Sequence, residues 1–311
     1  FCPSNVNWIS GNATVAGVTL SYTDGSPKTT MTDSFGDYSL VVSNNWSGTI
    51  TPSRLGHTFS PVSRSYTNVV ANHVNQDYSS PTGGPTPYYV NIVTGNNSNS
   101  CKAVAAPCRN IQEAINKASA GATIYSTSGT YLFSTNGSPN VVIINNDIKL
   151  SGGWNSDFTS QNGASTIDGA NVNNGILVIA GNVFVENFIV QNSRSSNSGA
   201  IYIVNGNFTL KKSTLRNNVA TSNGAGIFLD NGTLTIINST ISGNTAGSSG
   251  GGIYASNNSS TLVNIQNSTI AYNHASTGGG ISRTNGAYHI TNTIIANNSA
   301  TSSPDCAGVI A

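Results

Sequence analysis

The chain has 311 residues, 7% of them charged, and a formal net charge of +1. This length suffices for two domains with separate cores, and the near-zero charge argues against nucleic acid or an anionic membrane as a partner. No apolar run approaches the roughly 20 residues that a membrane-spanning helix needs. Val, Ile and Thr recur among Asn, Ser and Gly, a mixture typical of short strands joined by tight turns, so the composition predicts a folded all-β protein.

Residues 1–80 read as short strands separated by turns. Strands are predicted at residues 15–23, 32–42 and 47–53, with a turn at residues 24–27. Regular strands without a helical period indicate a small β-sandwich. Residues 81–87, rich in Pro, Gly and Thr, predict a linker to a second domain at residues 88–311.

The four cysteines comprise a close pair and two distant residues. Cys101 and Cys108 bracket a short segment and predict a disulfide-closed loop. Zinc is the competing interpretation, but the chain has no Cys-x-x-Cys and no histidine near the pair. Cys2 and Cys306 are predicted to pair within one chain or between the head of one subunit and the tail of the next. Disulfides imply an oxidising compartment, and hence an extracellular or cell-surface location.

The second domain opens with a predicted strand at residues 88–93, followed by a helix at residues 109–119. Asn110 is the predicted N-cap, with Glu113 at the third helical position as in a capping box, and Gly121 ends the helix. Such a helix is expected to cover the exposed end of a stack of strands. Its apolar stripe consists of Ile111, Ala114, Ile115 and Ala118.

Beyond residue 175 the sequence repeats. The isoleucines that follow successive small-residue runs are Ile201, Ile227, Ile253 and Ile281, spaced 26, 26 and 28 residues apart. A period in the mid-twenties with several short strands per copy is typical of a solenoid. Leucine-rich repeats have a similar period, but they need stacked leucines and usually a helix in each copy. This chain is poor in leucine and rich in predicted strands, so a right-handed parallel β-helix is predicted. At roughly 25 residues per coil, residues 121–311 correspond to about seven or eight coils.

Several stretches match known families. In the first domain they are GVTL (17–20), TD (32–33), GDYS (36–39), Trp46 and GT (48–49); in the second they are PCR (107–109), IQEAI (111–115), LSGGW (150–154), TIDG (166–169) and the GGGI and NSTI units. Residues 7–78 resemble the carboxypeptidase-regulatory-like (transthyretin-like) sandwich modules of bacterial surface proteins, which implies a stalk or spacer. Residues 88–306 resemble right-handed parallel β-helix proteins with polymorphic outer-membrane-protein-like repeats, which implies a secreted or surface-exposed protein.

Eleven Asn-x-Ser/Thr sequons suit an extracellular surface, although a chain so rich in Asn, Ser and Thr produces sequons by chance. The glycosylation candidates are Asn12, Asn45, Asn96, Asn136, Asn207, Asn231, Asn238, Asn257, Asn267 and Asn297.

An enzymatic alternative is a polysaccharide lyase or glycosidase, which needs carboxylates about 5–10 Å apart or an acidic calcium cluster. The candidate carboxylates are Asp147, Asp157, Asp168, Glu186 and Asp230. They form no pair or ladder along the repeats, and no polygalacturonase motif occurs. The sequence therefore predicts a protein that is not an enzyme and binds no cofactor or metal.

Three other sets of side chains leave a binding function open. His274 and His289 lie on neighbouring predicted coils, but a surface and a strand histidine are expected rather than a metal site. Lys211, Lys212, Arg216 and Arg194 either contact anionic sugars or form a solvated face. The tyrosines that either stack on sugar rings or pack on strands are Tyr88, Tyr89, Tyr202, Tyr254 and Tyr272.

Residues 308–311 resemble the start of another coil, so either the natural chain continues or a neighbouring subunit covers this end. Head-to-tail contacts that do not close generate filaments. We therefore expect an extracellular structural protein, a fibre subunit whose partner is another copy of itself. The alternatives are a monomeric cell-surface adhesin that binds glycans and a polysaccharide-active enzyme.

Overall fold

The computed structural model describes residues 6–33, 35–54, 57–80, 87–132, 140–256 and 261–308. Cys2, Asn136, Asn257 and residues 81–86 of the predicted linker lie outside the described residues. The chain divides into two compact units, Phe1–Thr86 and Pro87–Ala311.

The first unit is a small antiparallel β-sandwich. Its strands are β1 (Val6–Asn12), β2 (Thr19–Asp24), β3 (Ser26–Met31), β4 (Asp37–Ser43), β5 (Trp46–Ser53) and β6 (Arg64–Val69). One sheet pairs β1 with β4, and the other has the order β3-β2-β5-β6. Ile9 and Leu40 from the first sheet share one buried core with Leu20 and Ile50 from the second, so the predicted sandwich is confirmed.

Three of these strands escaped the sequence prediction. β1 and β6 were not predicted. β3 was missed because a turn was predicted at residues 24–27, whereas Gly25 alone turns the chain at φ +72° and β3 begins at the next residue. β3 contains Pro27 and Lys28, residues that depress strand propensity but that natural edge strands carry as protection against further pairing. β3 is an edge of its sheet.

The second unit is a parallel β-solenoid with one short helix. In chain order its elements are β7 (Tyr88–Val90), α1 (Ile111–Lys117), β8 (Ala122–Thr127), β9 (Gly129–Leu132), β10 (Asn140–Ile144), β11 (Ile148–Trp154), β12 (Ser165–Asp168), β13 (Asn174–Val178), β14 (Asn182–Glu186), β15 (Phe188–Gln191), β16 (Arg194–Ser195), β17 (Ile201–Ile203), β18 (Asn207–Lys211), β19 (Thr214–Arg216), β20 (Val219–Ala220), β21 (Ile227–Leu229), β22 (Thr233–Ile237), β23 (Thr240–Ser242), β24 (Thr245–Ala246), β25 (Ile253–Ala255), β26 (Leu262–Gln266), β27 (Thr269–Ala271), β28 (His274–Thr277), β29 (Ile281–Arg283), β30 (Ala287–Thr291), β31 (Ile294–Ala296), β32 (Ser299–Ser302) and β33 (Cys306–Ala307).

These strands form four parallel sheets. Sheet A has the order β7-β8-β11-β14-β18-β22-β26-β30, sheet B β9-β12-β15-β19-β23-β27-β31, sheet C β16-β20-β24-β28-β32 and sheet D β10-β13-β17-β21-β25-β29-β33. From β13 onward each turn contributes one strand to sheets D, A, B and C in succession. Sheets A, B and D contain seven or eight strands, as the predicted number of coils requires.

The predicted repeat isoleucines stack in register. Ile201, Ile227, Ile253 and Ile281 are Cα partners across consecutive strands of sheet D, and each is fully buried. The same register continues to Cys306 in β33. Successive side chains of a strand point to opposite faces, so the residue after each isoleucine points outward and the one after that points inward again. The inward side chains of the stacked strands form one hydrophobic core along the solenoid.

Asparagines with positive φ turn the corners of the solenoid. Between sheets A and B this position is filled by Asn187, Lys212, Asn238, Asn267 and Asn292, with φ between 47° and 56°. Asparagine tolerates this left-handed conformation better than other side chains that carry a Cβ. The serines that follow two of them, Ser239 and Ser268, point inward, and the Oγ atom of Ser268 accepts the backbone N–H of Ser239. The recurrent Asn-Ser-Thr sequon is thus also a corner motif of this fold.

The N-terminal end of the solenoid is covered by α1. Ile111, Ala114 and Ile115 are buried, and the helix contacts β7, β8 and β10, the first strands of sheets A and D among them. The burial of this apolar face against strand ends fits the role predicted for the helix.

The helix is two residues shorter at each end than predicted, and the predicted capping box is wrong. The Asn110 side chain makes no cap hydrogen bond. The Asn97 Oδ1 atom instead accepts the backbone N–H groups of Arg109 and Asn110, each at 3.0 Å. In a capping box the Glu113 side chain would accept the Asn110 N–H, but Asn97 already accepts it.

The predicted disulfide between Cys101 and Cys108 is confirmed, and both residues are fully buried. It closes a short loop beside β7, because the Tyr89 carbonyl accepts the Cys108 N–H at 2.9 Å and the Cys101 carbonyl accepts the Tyr89 N–H at 2.7 Å. The loop is therefore fixed both covalently and by strand-like hydrogen bonds at the covered end of the solenoid.

Alkaline pH is expected to destabilise this end through Tyr131. Its hydroxyl donates to the Thr127 carbonyl oxygen at 3.0 Å, and burial raises the pKa of Tyr131 to about 12 from 10.0. Because the unfolded tyrosine loses its proton first, stability is intact below pH 10 and falls by about 1 kcal/mol per pH unit up to about pH 12. Urea unfolding near neutral pH and near pH 11 should show a smaller pH-dependent loss for Tyr131→Phe than for the unmodified chain. Equal losses in the two proteins would contradict this assignment.

Candidate functional site

An open depression of about 670 Å³ lies in the first unit. Its described lining is Gly17, Thr19, Pro52, Ser53, Arg54, His57, Thr58, Phe59 and Val62. The polar groups are already engaged: the Arg54 guanidinium donates to the Ala16 carbonyl oxygen, and His57 Nδ1 lies 3.2 Å from Ser80 Oγ. The described lining includes no carboxylate, so it offers no acid–base pair.

The five candidate carboxylates are distributed over the solenoid rather than brought together. Asp168 ends β12 in sheet B, Asp230 follows β21 in sheet D, and Asp157 lies in the loop between β11 and β12. Asp147 precedes β11, and its Oδ1 atom accepts the N–H of Asn182 at 2.7 Å. Glu186 lies four residues beyond Asn182 in β14, about 13 Å along the strand, which is outside the spacing of a glycosidase pair.

Two of these carboxylates hold corners of the solenoid. The Asp168 Oδ2 atom accepts the side-chain amides of Gln191 and Asn192 at 2.9 Å each, and its Oδ1 atom accepts the Ala170 N–H. Asp168 therefore holds the corner that follows it. Asp147 fixes a different corner, the one between sheets D and A before β14, through Asn182.

The two candidate histidines do not meet. His274 is in β28 of sheet C and His289 is in β30 of sheet A, so they occupy different faces of consecutive turns. The His274 ring lies 2.9 Å from Ser299 Oγ. The sequence placed both on neighbouring coils correctly but could not tell which face each one occupies. Among the described residues no group of three or more His, Cys, Asp or Glu side chains is arranged to hold a metal ion.

The candidate basic group is divided among three sheets. Arg194 is in sheet C, Arg216 in sheet B and Lys211 in sheet A. Lys212 lies at the corner between sheets A and B with φ +47°. The Arg216 guanidinium donates to the Gln191 side-chain oxygen at 2.9 Å. Only Lys211 and Lys212 therefore belong to one surface.

The candidate tyrosines have different roles. Tyr88 is buried, and its hydroxyl donates to the Lys117 carbonyl oxygen, which ties β7 to α1. Tyr202 and Tyr254 flank Phe228 in an outward column of sheet D, with ring centroids 5.1 Å and 5.0 Å apart. Tyr272 is 68% exposed at a corner. Only Tyr89 belongs to a larger group of aromatic and charged side chains.

That group lies on the outer face of sheet A, and we call it the sheet A strip. Cα register places five residues of the strip on consecutive strands: Tyr89, Tyr125, Ser151, Glu186 and Lys211. Trp154 ends the Ser151 strand, and Phe158 follows in the loop. Lys149 and Phe184 lie in the adjacent row of the same face.

The aromatic end of the strip is held by ring contacts. The Tyr89 and Tyr125 rings stack with centroids 5.8 Å apart, while Trp154 meets Tyr125 edge-on at 5.2 Å and Phe158 meets Tyr89 edge-on at 5.0 Å. All four residues are half-buried, so each retains exposed ring surface. Burial raises the pKa of Tyr125, so its hydroxyl stays protonated further into the alkaline range than that of a free tyrosine.

Hydrogen bonds connect this aromatic end to the charged end. The Ser151 hydroxyl donates to the Glu186 carboxylate at 2.9 Å and accepts the Trp154 indole N–H at 3.1 Å. The Gln161 side-chain amide also donates to the Ser151 hydroxyl at 3.1 Å. Glu186 then forms an ion pair with Lys149, whose Nζ atom is 3.8 Å from the carboxylate.

The predicted glycosylation sites differ in accessibility. Asn12 and Asn231 are half-buried, and the Asn12 amide nitrogen donates to the Phe35 carbonyl oxygen and to the Asp37 carboxylate. Glycosylation of any of these asparagines stays a prediction. The exposed candidates are Asn45, Asn96, Asn207, Asn238, Asn267 and Asn297.

The helix α1 is only seven residues long, and no helix in the described ranges has the length and apolar character needed to cross a membrane. No protein-family model matches the chain, and neither a curated protein nor a solved structure is significantly similar to it.

Proposed function

We propose that this chain is a non-enzymatic extracellular structural protein that joins other copies of itself through the C-terminal end of the solenoid. The observation that carries the proposal is the state of the strand edges at that end. Within the described residues, β30 and β31 have a hydrogen-bonded neighbour on one side only. Such an edge presents unpaired backbone groups and is a template for a further strand.

The edges at this end lack the residues that usually prevent pairing. β30 reads AYHIT and β31 reads IIA, without Lys, Glu or Pro. The edge strand β3 of the sandwich differs, since it contains Pro27 and a Lys28 that is paired with Asp24 at 3.0 Å. The contrast favours β30 and β31 as strands that accept a partner in the assembled protein.

The side chains of the last turn also favour a partner. Ile294 is 62% exposed, and Ile290 and Ile295 are only partly buried against the core. The buried hydroxyl of Tyr288 makes no hydrogen bond within the described part of the chain. A strand added at this end would cover Ile290 and Ile295, which are in register with the buried Ile265 and Ile270. A fully buried isoleucine is worth about 1.5–3 kcal/mol.

The covered N-terminal end restricts how two copies can join. Because α1 packs its apolar face against β7, β8 and β10, it obstructs the approach of a second solenoid to these strands. We therefore propose that the added strand comes from the sequence before the solenoid of the next copy. Cys306, at the open end, forms no disulfide among the described residues, and burial raises the pKa of its thiol, which slows its oxidation before docking.

The extracellular location is supported by the disulfide between Cys101 and Cys108, since such bonds persist in oxidising compartments. The resemblance of residues 88–306 to surface β-helix proteins favours the same location. A non-enzymatic role is supported by the dispersion of the five candidate carboxylates over two sheets and three connecting segments.

Electron microscopy of the purified, unreduced chain tests the proposal, together with sedimentation in the same buffer. We expect filaments with a regular axial repeat. Their loss on adding reductant, or in Cys306→Ser, would assign the contact to a disulfide through Cys306, whereas persistence would assign it to strand pairing alone. Discrete rods of single-molecule length at all concentrations would contradict self-assembly and favour a monomeric adhesin.

A further inference from the structure

We infer that the sheet A strip binds an anionic polysaccharide that lies along the solenoid axis. The inference rests on the combination of aromatic surface, basic side chains and length on one face. It does not depend on self-assembly, because every residue of the strip lies between Tyr89 and Lys212, away from the last turn of the solenoid.

The aromatic end of the strip has the chemistry of a sugar platform. Sugar rings present C–H faces that pack against aromatic rings, while their hydroxyl groups need polar partners at the rim. Tyr89, Tyr125 and Trp154 provide the rings. The Gln161 side chain is exposed beside them, and its oxygen accepts no hydrogen bond in the described part of the chain, so it is available to a sugar hydroxyl.

The other end of the strip is basic in a chain with few charges. The Nζ atoms of Lys149 and Lys211 lie 4.8 Å and 5.9 Å from the centroid of the Phe184 ring between them. The carboxylate of Glu186 neutralises the charge of Lys149. The positive charges of Lys211 and of the exposed Lys212 at the adjacent corner remain. These two of the twelve Lys and Arg residues give this face a local positive excess that attracts carboxylate or sulfate groups.

The dimensions of the strip favour a polymer over a single sugar. Tyr89 and Lys211 are separated by four strand-to-strand steps in one row of sheet A, which at 4.7–4.9 Å per step is about 19 Å. A ligand that contacts both the tyrosines and the lysines must extend over this distance. A linear chain with several acidic residues satisfies the requirement.

The aromatic column of sheet D does not offer the same chemistry. Tyr202, Phe228 and Tyr254 are flanked in register by Leu177 and Ser282. The nearby carboxylate of Asp230 adds to burial in raising the pKa of Tyr202. Glu186 of the sheet A strip is paired with Lys149, whereas Asp230 forms no ion pair among the described residues, so its charge beside the rings disfavours an anionic ligand. One edge-to-face and one tilted ring pair account for the column as strand packing.

Binding of the intact chain to polygalacturonate, alginate and chondroitin sulfate tests the inference, with dextran and methyl-esterified polygalacturonate as neutral probes. Isothermal titration calorimetry at low and high salt is the measurement. We expect affinity for at least one anionic polymer that falls with salt, and none for the neutral probes. Lys211→Gln removes one charge-assisted contact and Tyr89→Ala removes one aromatic ring, so each variant should bind the polymer about tenfold more weakly.

Matched controls lie on other faces of the same solenoid. Arg194→Gln removes one exposed positive charge from sheet C, and Tyr254→Ala removes one half-buried ring from sheet D. Both should bind as the unmodified chain does. Circular dichroism confirms that each variant is folded, and sedimentation of the same samples shows whether assembly has changed. The inference is overturned if no anionic polymer binds, if neutral probes bind equally, or if the controls lose as much affinity as the strip variants.

Discussion

Replacing Asn244 with alanine is expected to lower the free energy of unfolding by about 3–4 kcal/mol, a large effect for a single substitution. Asn244 is fully buried inside the solenoid, where it belongs to a ladder of asparagines on consecutive turns. Its side-chain nitrogen donates to the Asn273 Oδ1 atom at 2.9 Å and to the Leu215 carbonyl oxygen at 3.1 Å. Its Oδ1 atom accepts the Asn218 side-chain amide at 2.8 Å and the Asn218 backbone N–H at 3.1 Å.

The size of the effect follows from what alanine leaves behind. Both N–H donors of Asn218 would lose their partner, and a buried polar group without a hydrogen bond costs about 1–3 kcal/mol. The Leu215 carbonyl oxygen and the Asn273 Oδ1 atom would each lose one donor as well. The amide is replaced by a smaller side chain, so a void adds to the cost.

Asn264→Ala is the matched control. Asn264 is an asparagine of the next turn, in β26, but it is half-buried on the outer face of sheet A. A change there is expected to stay within about 0.5 kcal/mol. Urea unfolding followed by circular dichroism compares the two variants, and the readout is the difference between their unfolding midpoints under identical conditions. Similar midpoints for both would show that the ladder does not stabilise the fold.

The ladder has defined ends. Asn218 Oδ1 accepts the Ser193 N–H at the N-terminal side, and Asn298 donates to the Asp305 carboxylate at 2.9 Å on the other side. Asp305 also accepts the Asn298 N–H at 3.1 Å, so the carboxylate takes the position that a further asparagine would occupy. The polar row is thus satisfied within the last described turn, whereas the strand edges of β30 and β31 are not.

The register of the solenoid could be predicted from sequence because its signal is local and periodic. The repeat isoleucines mark the same position of sheet D in each copy, and the αL asparagines mark the corners. The inward role of Asn218 and Asn244 could not be predicted by the same logic. Asparagine is typical of turns, and only stacking of identical side chains from adjacent turns makes its burial favourable.

The sheet A strip was only partly predictable. Tyr89 and Lys211 were singled out separately, but Tyr125, Trp154 and Phe158 were missed. The residues of the row are separated by 36, 26, 35 and 25 positions, because the early turns carry insertions of unequal length. No period connects them, so their proximity depends on strand pairing that the sequence pattern does not contain.

Introducing a charge at the open end should abolish assembly without unfolding the chain. Ile294→Lys places an ammonium group on β31, the last described strand of sheet B, and gives this edge the residue that natural edge strands carry to prevent further pairing. Ile294 is 62% exposed, so the monomer should lose no more than about 0.5 kcal/mol of stability. Sedimentation and electron microscopy should therefore show single chains where the unmodified protein forms filaments.

The opposite end of the same sheet supplies the matched control. Leu132 lies in β9, the first strand of sheet B, and is 58% exposed. Leu132→Lys introduces the same charge on an equally exposed apolar residue, but at the end of the solenoid that α1 covers. Filaments should persist in this variant if the contact is formed by β30 and β31. Loss of filaments in both variants would point to a general charge effect, and their persistence in both would place the contact elsewhere on the chain.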